Sequence, residues 1–109
     1  MFWSEYYFNS GKRITIPYRF NLNPGTIVAI RKGPGKCLSF YPWPKDRAGK
    51  KLLRIDKYSR LIIPAKYREF VGIDDGGVII GCYFYFQITN KKIWDRDREK
   101  INKIISEII

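Results

Sequence analysis

The chain has 109 residues, 45% hydrophobic and 17% aromatic, enough apolar material for one compact core and too much for a disordered tail. Its 21 Lys and Arg against 10 Asp and Glu give a formal charge of +11, which points to an anionic partner, nucleic acid first. His is absent, which removes the commonest general base and the commonest metal ligand near neutral pH, and no metal-ligand spacing is visible, so neither an enzyme nor a cofactor is expected.

Both halves share the excess: residues 1–50 hold nine basic and two acidic side chains, and residues 51–109 hold twelve and eight. Cys37 and Cys82 are too few for a small secreted scaffold, so a reducing compartment is expected, with a single bridge between them left open. The N-terminal MFWSEYYF has no basic n-region and carries Glu5. No signal peptide is expected, and the expected location is the cytoplasm, on the nucleoid.

Trp3 to Phe8 reads as a strand, NSGK as a tight polar turn and Arg13 to Ile16 as a second strand. Pro17 then suits the first position of a short helical piece around Tyr18 to Asn21. After the turn NPG, strands are expected at Thr26 to Ile30 and Lys36 to Tyr41. Between them RKGPGK is a basic hairpin tip; it lacks the trailing Ser/Thr and the helix of a nucleotide-binding loop. PWPKDRAGKK, residues 42–51, is rich in Pro, Gly and charge and reads as a linker.

The same order then recurs: strand Lys51 to Ile55, turn, strand Arg60 to Ile63, Pro64, and a helical turn Ala65 to Val71. The run VIIGCYFYF falls far short of the roughly 18 residues of a membrane helix, so it is expected to be a buried strand, continuing from Val78 to about Ile88. A short strand at Ile93 and Trp94 follows across TNKK. In residues 95–109, Ile101, Ile104, Ile105, Ile108 and Ile109 recur at helical spacing, and Asp95 or Asp97 is the expected cap. This amphipathic helix has to bury its isoleucines on its own barrel or on another subunit, so a homo-oligomer is one expectation.

Aligning Arg13 with Arg60 places Ile14, Thr15, Ile16 and Pro17 opposite Leu61, Ile62, Ile63 and Pro64. The chain therefore reads as a single domain with internal repeats at residues 1–44 and 51–94. The second copy supplies Asp56, Ser59, Arg60, Leu61, Ile63, Pro64, Arg68, Phe70, Val71, Gly72, Ile73 and Gly76. That phrase resembles the repeat of the SpoVT/AbrB-type swapped-hairpin family, and two such copies followed by IWD and a helix resemble its tandem-repeat MraZ branch. The first copy departs from the phrase at Asn9, in place of Asp, and at Asn21, in place of the equivalent of Arg68; Ser59 and Lys12 stand where the family has Gly. The resemblance implies a mainly β fold, an interleaved swapped-hairpin barrel with short helices, and duplex DNA as partner.

Independently of it, basic side chains on short rigid elements suit phosphate, and Arg offers a fork to phosphate or to a guanine edge. Arg13 and Arg60 are the expected contacts, with Lys12, Lys57, Arg19, Lys66 and Arg68 widening the basic face. Asn9 and Asp56 are read as turn orienters with no catalytic role, and a plain Asp56–Arg60 ion pair stiffening the turn stands beside the DNA reading. The strand aromatics are assigned to core more than to base stacking. A transcriptional regulator that binds double-stranded DNA is the leading expectation. The alternatives are an antitoxin-like protein whose terminal helix grips a partner protein, and a structural or single-strand-binding protein.

Overall fold

A computed structural model describes residues 4–33, 35–81 and 84–108, without the side chains of residues 4, 101, 102, 104, 105 and 108. The chain is mainly β: β1 (Ser4–Phe8), β2 (Arg13–Thr15), β3 (Ile27–Gly33), β4 (Cys37–Pro42), β5 (Lys51–Arg54), β6 (Arg60–Ile62), β7 (Gly77–Gly81) and β8 (Phe86–Asn90). A 3-10 turn (Tyr18–Phe20) follows β2, α1 (Ala65–Val71) follows β6, and α2 (Lys91–Ile108) closes the chain. Pro17 and Pro64 take extended ψ values of 136° and 146° directly before the two helical pieces, so each proline marks the change from strand to helix.

The sequence repeat becomes a spatial one. All pairings are antiparallel, and the six-stranded sheet runs β1-β7-β8-β4-β3-β5. Exchanging each strand for its counterpart in the other copy returns the same order reversed. The first strand of each copy is swapped, β1 onto β7 and β5 onto β3, while β4–β8 lies at the centre. The second sheet is the ribbon β2–β6, reached from both edges of the first through the turns after β1 and β5. Ile14, Ile16, Leu61 and Ile63 of the ribbon segments face Val28, Ile30, Leu38, Phe40, Ile79, Phe86 and Ile88 of the sheet, which makes one shared core.

Strand pairing locates where the copies differ. Tyr7 meets Val78 as Arg54 meets Ile27, so the helical piece of the first copy is four residues shorter, about one turn. The hairpin β3–β4, in contrast, adds three rungs, ending at Gly33 opposite Cys37, before its tip. In the second copy β7 and β8 are joined directly after Gly81 and Phe86 pair. This register makes Phe40 the counterpart of Phe86, and the two face each other across β4–β8.

Three expectations need correction. Val78 to Ile88 is two strands rather than one, and Phe84 in the connection is 82% exposed; no residue in VIIGCYFYF other than Gly81 signals the break. Ile93 and Trp94 belong to α2, which starts at Lys91. Asn90 caps it, in place of Asp95 or Asp97, because its Oδ1 accepts from the Lys92 and Ile93 amides at 2.8 and 3.4 Å. The Asn90 Nδ2 also donates to the Gly72 carbonyl at 2.6 Å and so ties the end of α1 to the start of α2.

Pro42 ends β4 and Lys51 begins β5, so residues 43–50 join the two copies. Glu5 fastens α2 to β1: its Oε2 accepts from Arg98 Nη1 at 2.9 Å and from Trp94 Nε1 at 3.2 Å. Trp3, Cys82, Tyr83 and Ile109, and the side chains of Ile101, Ile104, Ile105 and Ile108, lie outside the described residues.

Candidate nucleic-acid interface

The ribbon alternates strictly. Ile14 and Leu61, paired with each other at its centre, point into the core, while Arg13, Thr15, Arg60 and Ile62 point outward. Arg13 pairs with Ile62 and Arg60 with Thr15, so the two arginines stand on one outer face, related by the exchange of copies. An antiparallel pair holds such groups on a twisted ribbon narrow enough for the major groove.

The two turns feeding this face are built differently. In the second, Asp56 Oδ1 accepts from the amides of Tyr58 and Arg60, both at 2.9 Å, and Asp56 Oδ2 accepts from Arg60 Nε at 3.2 Å. The Asp56 carbonyl also accepts from the Ser59 amide, and Ser59 takes φ 60°, the left-handed region that a glycine would enter freely. The Tyr58 ring lies 4.9 Å from Arg60 Cζ and 5.1 Å from Lys57 Nζ. The Arg60 guanidinium is thus held at Nε by a carboxylate and on one face by an aromatic ring. Its Nη groups make no bond to a described residue and remain as a fork.

Partial burial pushes the Asp56 carboxyl up, but the Arg60 and Tyr58 amides and then the Arg60 charge outweigh it, so the group lies below the usual carboxylate range.

In the first turn Asn9 and Lys12 are exposed, and Arg13 has no hydrogen bond or ion pair to a described side chain. Its support comes from behind. Gly11 is buried against Ile73, where an added Cβ would clash with the Ile73 carbonyl, and Gly76, at φ 118°, lies under the Phe8 carbonyl. A groove of about 470 Å³ beside Arg13 is lined by Tyr7, Asn9, Ser10, Thr15 and Tyr18 among others.

The remaining basic residues divide. Lys66 is exposed on α1 with Nζ 5.3 Å from the Tyr67 ring. Arg68 turns inward: Nε donates to the Ile63 carbonyl and Nη1 to Asp74 Oδ1, both at 3.0 Å, and its side chain is only 18% exposed. Arg68 fastens β6 to α1, and its first-copy counterpart Asn21, at φ 54°, ends the shortened 3-10 turn. Arg19 is exposed on that turn at a cavity of about 550 Å³ walled by Phe20, Trp43, Phe84 and Tyr85, with no ribbon residue in its lining.

Tyr58 was not singled out by sequence; its signal is an aromatic between Lys57 and Arg60 in a polar turn. Among the described residues no group of acids and cysteines is placed to hold a metal, and no helix is long and apolar enough to cross a membrane.

The family model described as "MraZ protein, putative antitoxin-like" matches residues 48–107. The curated relatives include the Transcriptional regulator MraZ of Desulforamulus reducens, 29% identical over 122 aligned positions that cover 88% of this chain and 86% of that protein. The Transcriptional regulator MraZ of Syntrophomonas wolfei is 28% identical, covering 99% of this chain and 94% of its own. That of Desulfitobacterium hafniense is 28% identical over 86% and 84%.

Proposed function

Because the chain belongs to the MraZ family, we propose that it is a transcriptional regulator that binds double-stranded DNA through the outer face of the β2–β6 ribbon and does its work without catalysis. The observation that carries this is the placement of Arg13 and Arg60 on one face, with the Arg60 fork left open by the Asp56 and Tyr58 contacts. In this reading Arg60 reads a base edge or clasps a phosphate, and Arg13 makes the symmetric contact one half-ribbon away. Asp56 orients the arginine, and Asn9 does so more weakly. Lys12, Lys57 and Lys66 add phosphate contacts that are lost as salt rises. Arg68 acts as a brace of the scaffold, and Arg19 belongs to the periphery.

The protein's place is with the chromosome in the cytoplasm. Subunits associating through the isoleucines of α2 would align several ribbon faces and multiply their contacts by effective concentration. The antitoxin-like reading would also use α2, but Glu5 holds the first turns of that helix against β1, which favours a scaffold role for them.

The test is retention of a labelled fragment from the gene's own upstream region in the presence of unrelated duplex. Wild type should retain it and the Arg13→Ala/Arg60→Ala variant should not, with melting curves unchanged. Retention equal to that of competitor DNA, or unaffected by the substitutions, would move the function to a protein partner.

A further inference from the structure

A cleft of about 470 Å³ with no ribbon residue in its lining collects Arg31 and Lys32 from β3, Lys50 just before β5, Lys51 at its start, and Lys66 and Tyr67 from α1. Its lining holds five cations and no carboxylate, and the ion pairs among the described residues engage none of the five. Two of them contact one ring: Lys32 Nζ lies 5.7 Å and Lys66 Nζ 5.3 Å from the centre of Tyr67, and Lys32 is also 5.0 Å from the Phe70 ring. The face of the ring attracts each cation.

Duplication does not account for this cluster. Arg31 and Lys32 sit on the rungs that β3–β4 has and β7–β8 lacks, and the cavity beside the shortened helical piece carries one cation, Arg19, among aromatics. The extra rungs carry two of the cations to the side of α1.

We propose that this cleft is a second phosphate site, which holds the phosphodiester backbone of the duplex flanking the segment met by the ribbon. The proposal rests on the reading of the protein as a duplex binder. Lys51 opens the strand whose other end runs into the Asp56 turn, roughly 17 Å away for an extended segment of five residues. One helical turn of duplex, about 34 Å, centred on the ribbon ends at about that distance, so only duplex that continues beyond it runs along the cleft. Five unneutralised cations around one concavity match a polyanion by charge, and each phosphate they engage releases counterions.

The experiment measures binding of the full-length protein against salt concentration on its preferred duplex, in a form about one helical turn long and a form about three turns long. Wild type should show the steeper slope on the longer form. The variant Arg31→Gln/Lys50→Gln/Lys51→Gln should lose roughly 2 to 3 of that slope, about 0.9 for each phosphate contact, and keep both its slope on the short form and its preference over competitor. Lys92→Gln/Lys100→Gln/Lys103→Gln removes the same charge from α2 and should keep the full slope.

An unchanged slope in the cleft variant, or an equal loss in the α2 variant, overturns the proposal. So does loss of tripolyphosphate binding with the duplex slope intact, which would assign the cleft to a free polyanion. If wild type prefers no duplex over competitor, the DNA reading itself fails, and that result is distinct from the others.

Discussion

Phe40 and Phe86, counterparts in the two copies, lie opposite each other across β4–β8 with ring centroids 4.8 Å apart and planes 4° from parallel. Both are buried, and Phe20 packs on Phe86 with centroids 5.7 Å apart and planes tilted by 42°. The two halves of the chain are joined at their centre by this pair. Replacing either ring by Ala should cost about 3–5 kcal/mol in urea unfolding. Because the rings touch, the double variant should depart from the sum of the two by about 0.5–3 kcal/mol, and strict additivity would show that they act separately.

Arg60 is braced and Arg13 is not, so their replacement should differ. Arg60→Ala is expected to weaken specific duplex binding by about 1–3 kcal/mol, roughly five- to 150-fold, and Arg13→Ala by less. Tyr58→Ala should lower affinity in wild type and do little in Arg60→Ala, since its effect passes through the guanidinium. Anisotropy titrations at one fixed salt concentration decide this, and equal losses for the two arginines would refute the asymmetry.

The lowered Asp56 pKa has a consequence in acid. A carboxyl held below its unfolded value of about 3.9 contributes stability that is complete above that pH and is lost as pH falls through the folded value. Asp56→Asn keeps an acceptor for the two amides but no charge. Wild type should therefore melt above Asp56→Asn at pH 7 and pH 5, and the gap should narrow as pH falls below about 3.9. A gap unchanged at pH 3 would contradict the assignment.

Gly76 of the second copy supports the contact turn of the first. A Cβ there would lie 2.6 Å from the Phe8 carbonyl, and φ 118° is itself unfavourable for any other residue. Gly76→Ala should destabilise by about 1–3 kcal/mol and weaken DNA binding at the Asn9 side more than at the Asp56 side. Gly25, its counterpart at φ 91°, has open space around it, so Gly25→Ala should be the milder change. Melting curves of the two variants test the order.

The repeat was legible because its phrase combines a polar turn, a β-branched strand and a proline, each with its own local chemistry. The swapped pairing was available only through the resemblance, since nothing in Ser4 to Phe8 says that its partner is β7 rather than β3. The break between Gly81 and Phe86 was hidden because an apolar aromatic run carries no turn residue beyond one glycine. Asn90 does not stand out as a cap in the sequence because Asp95 and Asp97 precede the isoleucines more closely, yet a helix starts where its first amides find an acceptor. The cations of the second cleft are scattered from position 31 to position 66, and only the folded chain brings them together.

The exchange of first strands also sets when the protein comes into being on the ribosome. β1 emerges first but has no partner until β7 is made, and synthesis adds roughly 5–20 residues each second. For several seconds an aromatic strand waits in the open, exposed to aggregation and to chaperones, and the barrel closes late because its pairings are long-range. A nascent chain that stalls after β4 leaves β1 without β7 and β3 without β5, so half a translation product presents unpaired strand edges.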